Sequence, residues 1–279
     1  MTIADSAHDF FSCRNLGELV KQRGVQVEHV AIWIARDAHP QLSPQQVLAE
    51  LDALAESFQV EGFEALDAHE QASALVHHLA IENRFQGNRQ SYEEADNSYL
   101  DSVLKRRLGI PISLSVVYMA VARRLGVPVL PIGFPGHFLV RVGAPTGVLV
   151  DAFEGRLIQG DELSALLNKS LGPQSVMKPE YLAPVGVSEV AQRMLTNLKR
   201  IHESQRNFPS ALLVTDRLVE LTGSPELRRD RGMLALKLGA NQVASSDLAH
   251  YLLKRPNASD ASEVRTALAK SRKAVPLMN

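Results

Sequence analysis

The feature that most restricts what this chain can become is the almost wholly apolar run from Ser113 to Leu125, set between Gly109-Ile110-Pro111 and Gly126-Val127-Pro128. Proline is accommodated in the first turn of a helix, and a Gly followed closely by a Pro is a helix stop. The run therefore reads as a helix that is apolar on every side, with no face to offer water. Other elements must enclose it, which makes it the centre of a domain. It is not a membrane span. Its most apolar part, Leu114 to Ala122, falls far short of the roughly 20 residues a span requires and runs straight into Arg123 and Arg124.

Elements able to enclose that helix lie on both sides of it. Upstream, Val27, Val30, Ala31 and Ile34 follow the spacing of a buried helical stripe, as do Val47, Leu51, Leu54 and Phe58, and then Ala72, Leu75, Val76 and Leu79. Ser43-Pro44-Gln45-Gln46 supplies an N-cap hydroxyl, a first-turn proline and a Gln placed to close a capping box. A polar loop is expected from Gln86 to Asn97, then a short helix over Leu100 to Lys105. Downstream come three β-prone runs, Val129 to Phe134, Phe138 to Val142 and Val148 to Asp151, separated by Pro135-Gly136 and by Ala144 to Gly147. These predict adjacent antiparallel strands. Pro173, Pro179 and Pro184 mark the segment from Gly172 to Gly186 as a connection between domains.

From Ser188 onward the pattern is helical and repeats. Asn207-Phe208-Pro209-Ser210-Ala211-Leu212 is similar to Ala240-Asn241-Gln242-Val243-Ala244-Ser245, and Ala211 and Ala244 stand 33 residues apart. That offset is close to the period of about 34 for tetratricopeptide helix pairs, whose small residues sit at the close helix contact. On this reading Pro225 and Pro256 terminate second helices, and two repeats, too few for an independent solenoid, either pack against the first domain or carry an extra capping helix near Ser262 to Lys273. An unrelated helical bundle is the alternative.

Composition removes several classes of function. The chain has 279 residues, 45% of them apolar and 22% charged, with a formal net charge of −1, the balance of an ordinary globular protein. Its 30 Lys and Arg residues are scattered rather than gathered in a stripe, which argues against nucleic acid as a partner. Asp5 and Asp9 stand where a signal peptide would carry Lys or Arg, and the single cysteine, Cys13, can form neither an intramolecular disulfide nor a thiolate cluster. Both point to the cytoplasm.

The chemistry-bearing residues come in a telling order: the start of the apolar helix, then His137 opening one strand, then Asp151 closing the next. A nucleophile at a helix N-terminus, a His as general base and a carboxylate to orient the ring form the layout of a catalytic triad. A thiol at that helix start would have its pKa lowered by the helix dipole. The sequence has none there. Other candidates have plainer uses. His77 and His78 are neighbours and point to different sides of a helix, so they do not share a metal. Glu82, Asn83 and Arg84 suit a solvated helix end, although Glu82 is also a candidate for the cleft wall. Asp161 and Glu162 suit a helix start, and Gly133, Gly136 and Gly155 suit turns without phosphate-loop spacing.

The run Gly109-Ile110-Pro111-Ile112-Ser113-Leu114-Ser115, continuing to Arg123-Arg124-Leu125-Gly126-Val127-Pro128, resembles the core helix of transglutaminase-like proteins, whose pattern is Gly-x-Cys and then a helix ending in Arg-x-Leu-Gly-Ile-Pro. His137-Phe138-Leu139-Val140 resembles their His strand and Val148-Leu149-Val150-Asp151 their Asp strand. Counted back from Gly126 without a gap, the nucleophile position falls on Pro111. Glu82-Asn83-Arg84-Phe85-Gln86-Gly87-Asn88 and Asn97-Ser98-Tyr99-Leu100, read with these, resemble the bacterial invasion-regulator B family, which joins a transglutaminase-like region to tetratricopeptide-like repeats. The resemblance extends over Ala72 to Lys254.

What it implies is an α+β fold: a papain/transglutaminase-like core, with a central helix against a small antiparallel sheet and with N-terminal helices, over residues 1–184. An all-α tetratricopeptide-like domain is expected over 185–279. The expected function is a non-catalytic protein-interaction or regulatory module, without cofactor or metal, that takes a protein or peptide partner through its repeats and the cleft near His137. The alternative is a serine-dependent amide hydrolase or acyltransferase using Ser113, His137 and Asp151. Against that, a Ser near a helix start ordinarily satisfies the orphan backbone groups there.

Overall fold

The computed structural model describes residues 10–143 and 145–273; Asp5 and Asp9, and Ala144 of the expected turn, lie outside them. Three amphipathic helices lead: α1 (Val27–Ala38), α2 (Pro44–Glu56) and α3 (Ala68–Val76). Ser43 caps α2 by accepting from the Gln46 amide at 3.4 Å, with Pro44 in the first turn. The third stripe does not continue as an α-helix to Leu79. It widens into a π turn over His77–Glu82, because the buried His78 ring reaches sideways to the Leu54 carbonyl at 2.8 Å and back to Glu82 at 2.8 Å. Glu82 also meets the exposed His77 at 3.3 Å.

A two-residue strand, β1 (Gln86–Gly87), pairs in parallel with β2 (Leu108–Gly109), and α4 (Leu100–Arg106) lies between them in sequence. The apolar run then forms α5 (Pro111–Arg124), beginning two residues earlier than expected, with every residue from Pro111 to Ala122 buried. It packs against α1, α2 and α4 on one side and against two strands, β3 (Val129–Ile132) and β4 (Leu139–Val142), on the other. Its charged end is anchored too. Arg123 and Arg124 both donate to the buried Glu28 carboxylate on α1, and Arg124 Nε reaches Asp52 on α2 at 2.6 Å.

The sheet runs β3-β4-β5-β6 in sequence order, all antiparallel, with β5 at Val148–Asp151 and β6 at Arg156–Ile158. β6 was not expected, since its three residues carry too little alternation to signal a strand. Pairing of Val140 with Val150 and of Leu149 with Ile158 sends successive side chains to opposite faces. One face meets α5 and α3. The other joins α6 (Asp161–Leu171) through Ile132, Phe134, Leu139, Leu149, Ile158, Leu163 and Leu167. The proline-marked connection is pinned rather than loose. Val185 donates to the Pro131 carbonyl at 3.0 Å, and Arg141 to the Leu182 carbonyl at 2.8 Å, covering the edge of β3.

The chain divides into two units, one running to Met194 and the other comprising Asn15–Gly17 and Leu195 onward. Helix α7 (Val187–Ser204) leads into α8 (Phe208–Thr222), α9 (Pro225–Lys237), α10 (Asn241–Lys254) and α11 (Ala261–Lys273), with no strand among the described residues after β6. The repeated segments open α8 and α10, and Ala211 and Ala244 are both fully buried. Two details differ from the sequence reading. Pro225 starts α9 behind the capping Ser224 instead of ending a helix, and the helix over Ser262 to Lys273 is the second member of the second pair rather than an extra cap.

Candidate functional site

His137 follows a tight turn in which its own amide donates to the Phe134 carbonyl at 3.1 Å. Gly136 sits at φ +66°, a conformation costly for any other residue, and a Cβ there would also collide with Ser170 Oγ. Arg193 of α7 holds the turn from outside, donating to the carbonyls of Phe134 (2.8 Å) and His137 while its guanidinium lies 5.4 Å from the centre of the Phe138 ring. Burial pulls the Arg193 guanidinium below its usual pKa.

Asp151 closes β5 with its side chain 2% exposed. One carboxylate oxygen lies 2.9 Å from His137 Nε2, and the other accepts from the amides of Phe153 and Glu154 at 3.0 and 3.1 Å. Facing a carboxylate, Nε2 carries the ring proton, and Nδ1 is left to the cleft. The ring is nine-tenths buried, 10% exposed, with the edge of Phe153 against it at a centroid distance of 6.3 Å.

The cleft has a volume of about 670 Å³. It is lined by Pro111, His137, Asp151 and Ile158, by Arg89, Tyr92, Phe153 and Glu154, and by Ala165, Leu166, Lys169 and Ser170 of α6. Pro111 is thus the residue of α5 that lines the cleft together with the His–Asp pair. It has neither a nucleophilic side chain nor an N–H. Ser113, two positions on, is turned roughly 200° around a helix of 3.6 residues per turn. Its side chain is fully buried, and its hydroxyl donates to the Asn97 carbonyl at 2.5 Å while accepting from the Ile110 amide at 3.1 Å. No hydrogen bond joins it to His137, and it does not line the cleft. The Ser113-His137-Asp151 arrangement expected of a serine enzyme is not assembled, because the hydroxyl is spent on the start of α5.

The family-like block before α5 has a structural task. Asn88 Nδ2 donates to Asn97 Oδ1 at 3.0 Å, Asn97 Nδ2 to the Ser91 carbonyl at 2.7 Å, and the Ser91 amide to Asn88 Oδ1 at 3.0 Å. This amide network fixes the loop that carries Arg89 and Tyr92 to the cleft. Glu82, Asn83 and Arg84 lie outside the cleft lining, as does Cys13. Lower on α5 the Tyr118 hydroxyl is buried without a partner, and burial together with the Asp151 charge raises its pKa far above the ordinary phenol value. Sequence reasoning missed Arg89, Tyr92, Phe153, Lys169, Ser170 and Arg193. Each reaches the site through long-range packing that leaves no local pattern. Among the described residues no three His, Cys, Asp or Glu side chains come together as metal ligands, and no helix is long and apolar enough to cross a membrane.

A core helix, a His strand and an Asp strand in this order agree with what the sequence matches. Residues 45–196 match the family model described as the transglutaminase-like superfamily, and residues 198–269 match the tetratricopeptide repeat model. A UPF0162 protein of Xylella fastidiosa is 34% identical over 241 residues, covering 84% of this chain and 86% of the relative. The chain belongs to the SirB1/YchA (UPF0162) family of transglutaminase-like proteins. YchA of Escherichia coli K12 and SirB1 of Salmonella typhimurium are each 29% identical over 215 residues, covering 76% of this chain and 80% of their own. No solved structure matches it. In this member of the family the pairing of a transglutaminase-like region with helical repeats comes with proline at the start of the core helix.

Proposed function

We propose that this protein is a non-catalytic regulatory module of the bacterial cytoplasm. The His137 cleft binds a ligand without turning it over, and the helical repeats take a protein partner. The observation that carries this reading is Pro111, which lines the same cleft as a complete His137–Asp151 pair. Proline removes two things at once: the side chain that would attack an acyl carbon, and the backbone N–H that a nucleophilic residue itself contributes to oxyanion stabilisation. A general base with nothing to deprotonate is a hydrogen-bonding group in a pocket. The partner half of the proposal rests on the tetratricopeptide match over residues 198–269, because stacked helix pairs build extended concave surfaces of the kind used to hold other proteins. A single cysteine accords with a reducing compartment.

The test is incubation of the purified protein with a glutamine-bearing peptide and a primary amine, and separately with a fluorophosphonate, followed by mass spectrometry. No transamidated product, no hydrolysis and no adduct are expected. Turnover abolished by Cys13→Ser, or an adduct lost in Ser113→Ala, would contradict the proposal.

A further inference from the structure

Cations occur along most of the chain, but the carboxylates are not distributed with them. Residues 195–279 hold 14 Lys and Arg against 8 Asp and Glu, which leaves 16 against 23 in residues 1–194. The acidic surplus gathers in one stretch. From Asp37 to Asn83 there are nine carboxylates and not one Lys or Arg. Some of them are spent locally: Asp52 on Arg124, Asp67 and Glu70 on the start of α3, and Glu82 on His77 and His78. Glu56, Glu61 and Glu64 are exposed, with no ion-pair partner among the described residues. Glu64 lines a groove of about 740 Å³ together with Phe58, Val60, Phe63 and Leu125, and Glu56 and Glu61 stand within two residues of that lining along the chain. Arg124, which also lines it, is already held by Glu28 and Asp52.

The basic surplus has an equally definite place. Lys199, Arg217, Arg229, Arg231 and Arg255 engage seven of the eight carboxylates after residue 194, all but Glu263. Helix α11 buries Ala261, Val264, Ala267 and Ser271, and its last turn carries Lys270, Arg272 and Lys273. These three cations are exposed and have no ion-pair partner among the described residues.

Resting on the reading that the repeat helices take a protein partner, we propose that this partner is a second copy of the chain: the last turn of α11 in one copy docks on the acidic groove around residues 56–64 of another. Each surface repels its own kind and attracts the other, so the contact is head to tail. The chemistry matches beyond the sign of charge. Lys and Arg carry apolar stems, which cover Phe58, Val60 and Phe63 while the charged heads reach Glu56, Glu61 and Glu64. Exposed ion pairs are weak singly and are screened by salt, so the association is reversible and belongs to low ionic strength.

Sedimentation equilibrium of the full chain at about 20 mM and about 500 mM NaCl tests this. The expected result is a mass that rises above the monomer with protein concentration at low salt and returns to the monomer at high salt. Lys270→Glu with Lys273→Glu in one variant, and Glu61→Lys with Glu64→Lys in another, should each leave a monomer at low salt. Mixing the two variants in equal amounts should restore a species of twice the monomer mass, because the first keeps the groove and the second keeps α11; that recovery also shows that both are folded. A monomer at low salt overturns the proposal, as does association that salt does not weaken or a mixture that stays monomeric. Association lost in the lysine variant but kept in the glutamate variant puts α11 on some other acidic surface and overturns it too. Failure here leaves the non-catalytic reading standing, since that reading falls only to turnover or adduct formation.

Discussion

Replacing Asp151 separates its two duties, because each carboxylate oxygen has a different one. Asp151→Ala strands the Phe153 and Glu154 amides, bonded at 3.0 and 3.1 Å, together with the His137 ring N–H at 2.9 Å. Stranded buried donors cost about 1–3 kcal/mol each. The two amides are only partly buried and regain some water, which sets the expected loss at about 3–5 kcal/mol. At roughly 2–4 °C per kcal/mol for a domain of this size, the Tm falls by about 6–20 °C. Asp151→Asn keeps an oxygen for both amides and turns its NH2 toward Nε2, so it costs only about 1 kcal/mol, the difference between a charged and a neutral hydrogen bond. It forces the other tautomer, however. Nε2 becomes the acceptor, and the proton moves to Nδ1, facing the cleft. Urea denaturation gives the stabilities, and the 15N shifts of the His137 ring report the tautomer. Equal destabilisation by the two variants, or an unchanged tautomer in Asp151→Asn, would refute the account.

Further outcomes follow from buried charge. Burial is the main cause that lowers the pKa of His29 below 6.5, and the Gln26 amide donates to its Nδ1 at 3.0 Å, so the folded chain holds the ring neutral. The unfolded chain then binds the extra proton as the pH drops below 6.5, and stability is lost from there down through the folded pKa; His29→Asn should flatten that acid limb in urea melts at pH 5 to 8. In the second unit the buried Asp247 holds Arg231 through bonds of 2.7 and 2.8 Å. Asp247→Ala should cost about 1.5–3 kcal/mol, because the Arg231 guanidinium loses its two-pronged pairing and keeps only its bond to Asp216, whereas the double change Asp247→Leu with Arg231→Met should recover most of it, as read by thermal melts.

Much of the first unit was legible in the sequence because its strongest signals are local. An apolar run between a first-turn proline and a Gly-Pro stop admits one interpretation, and α5 is buried from Pro111 to Ala122 as that interpretation requires. The two histidines of the third helix show where local reading fails. Spacing alone continues the helix to Leu79, but the buried His78 ring bridges to Leu54, 24 positions away, and the backbone widens to allow it. β6 escaped because Arg156–Ile158 is too short to alternate, and it is a strand only because β5 lies beside it. At the cleft, Pro111, His137 and Asp151 were visible as three motifs in order, while the residues around them were not. Arg89 and Lys169 are ordinary surface cations in sequence and become cleft residues only through the Asn88–Asn97 network and the packing of α6. Ser113 is the instructive case: a hydroxyl two residues from the right position lies on the wrong side of the helix.

Restoring the missing thiol tests most directly whether Pro111 occupies the place of a nucleophile before a working His–Asp pair. In a Cys13→Ser background, Pro111→Cys leaves one thiol, at a helix start beside His137. The iodoacetamide labelling rate of this variant should follow a thiolate that forms at least about 1 pH unit below the 8.5 of an ordinary cysteine, and adding His137→Ala should return the midpoint toward 8.5. A midpoint near 8.5 with His137 present, or one that His137→Ala does not move, would contradict the account.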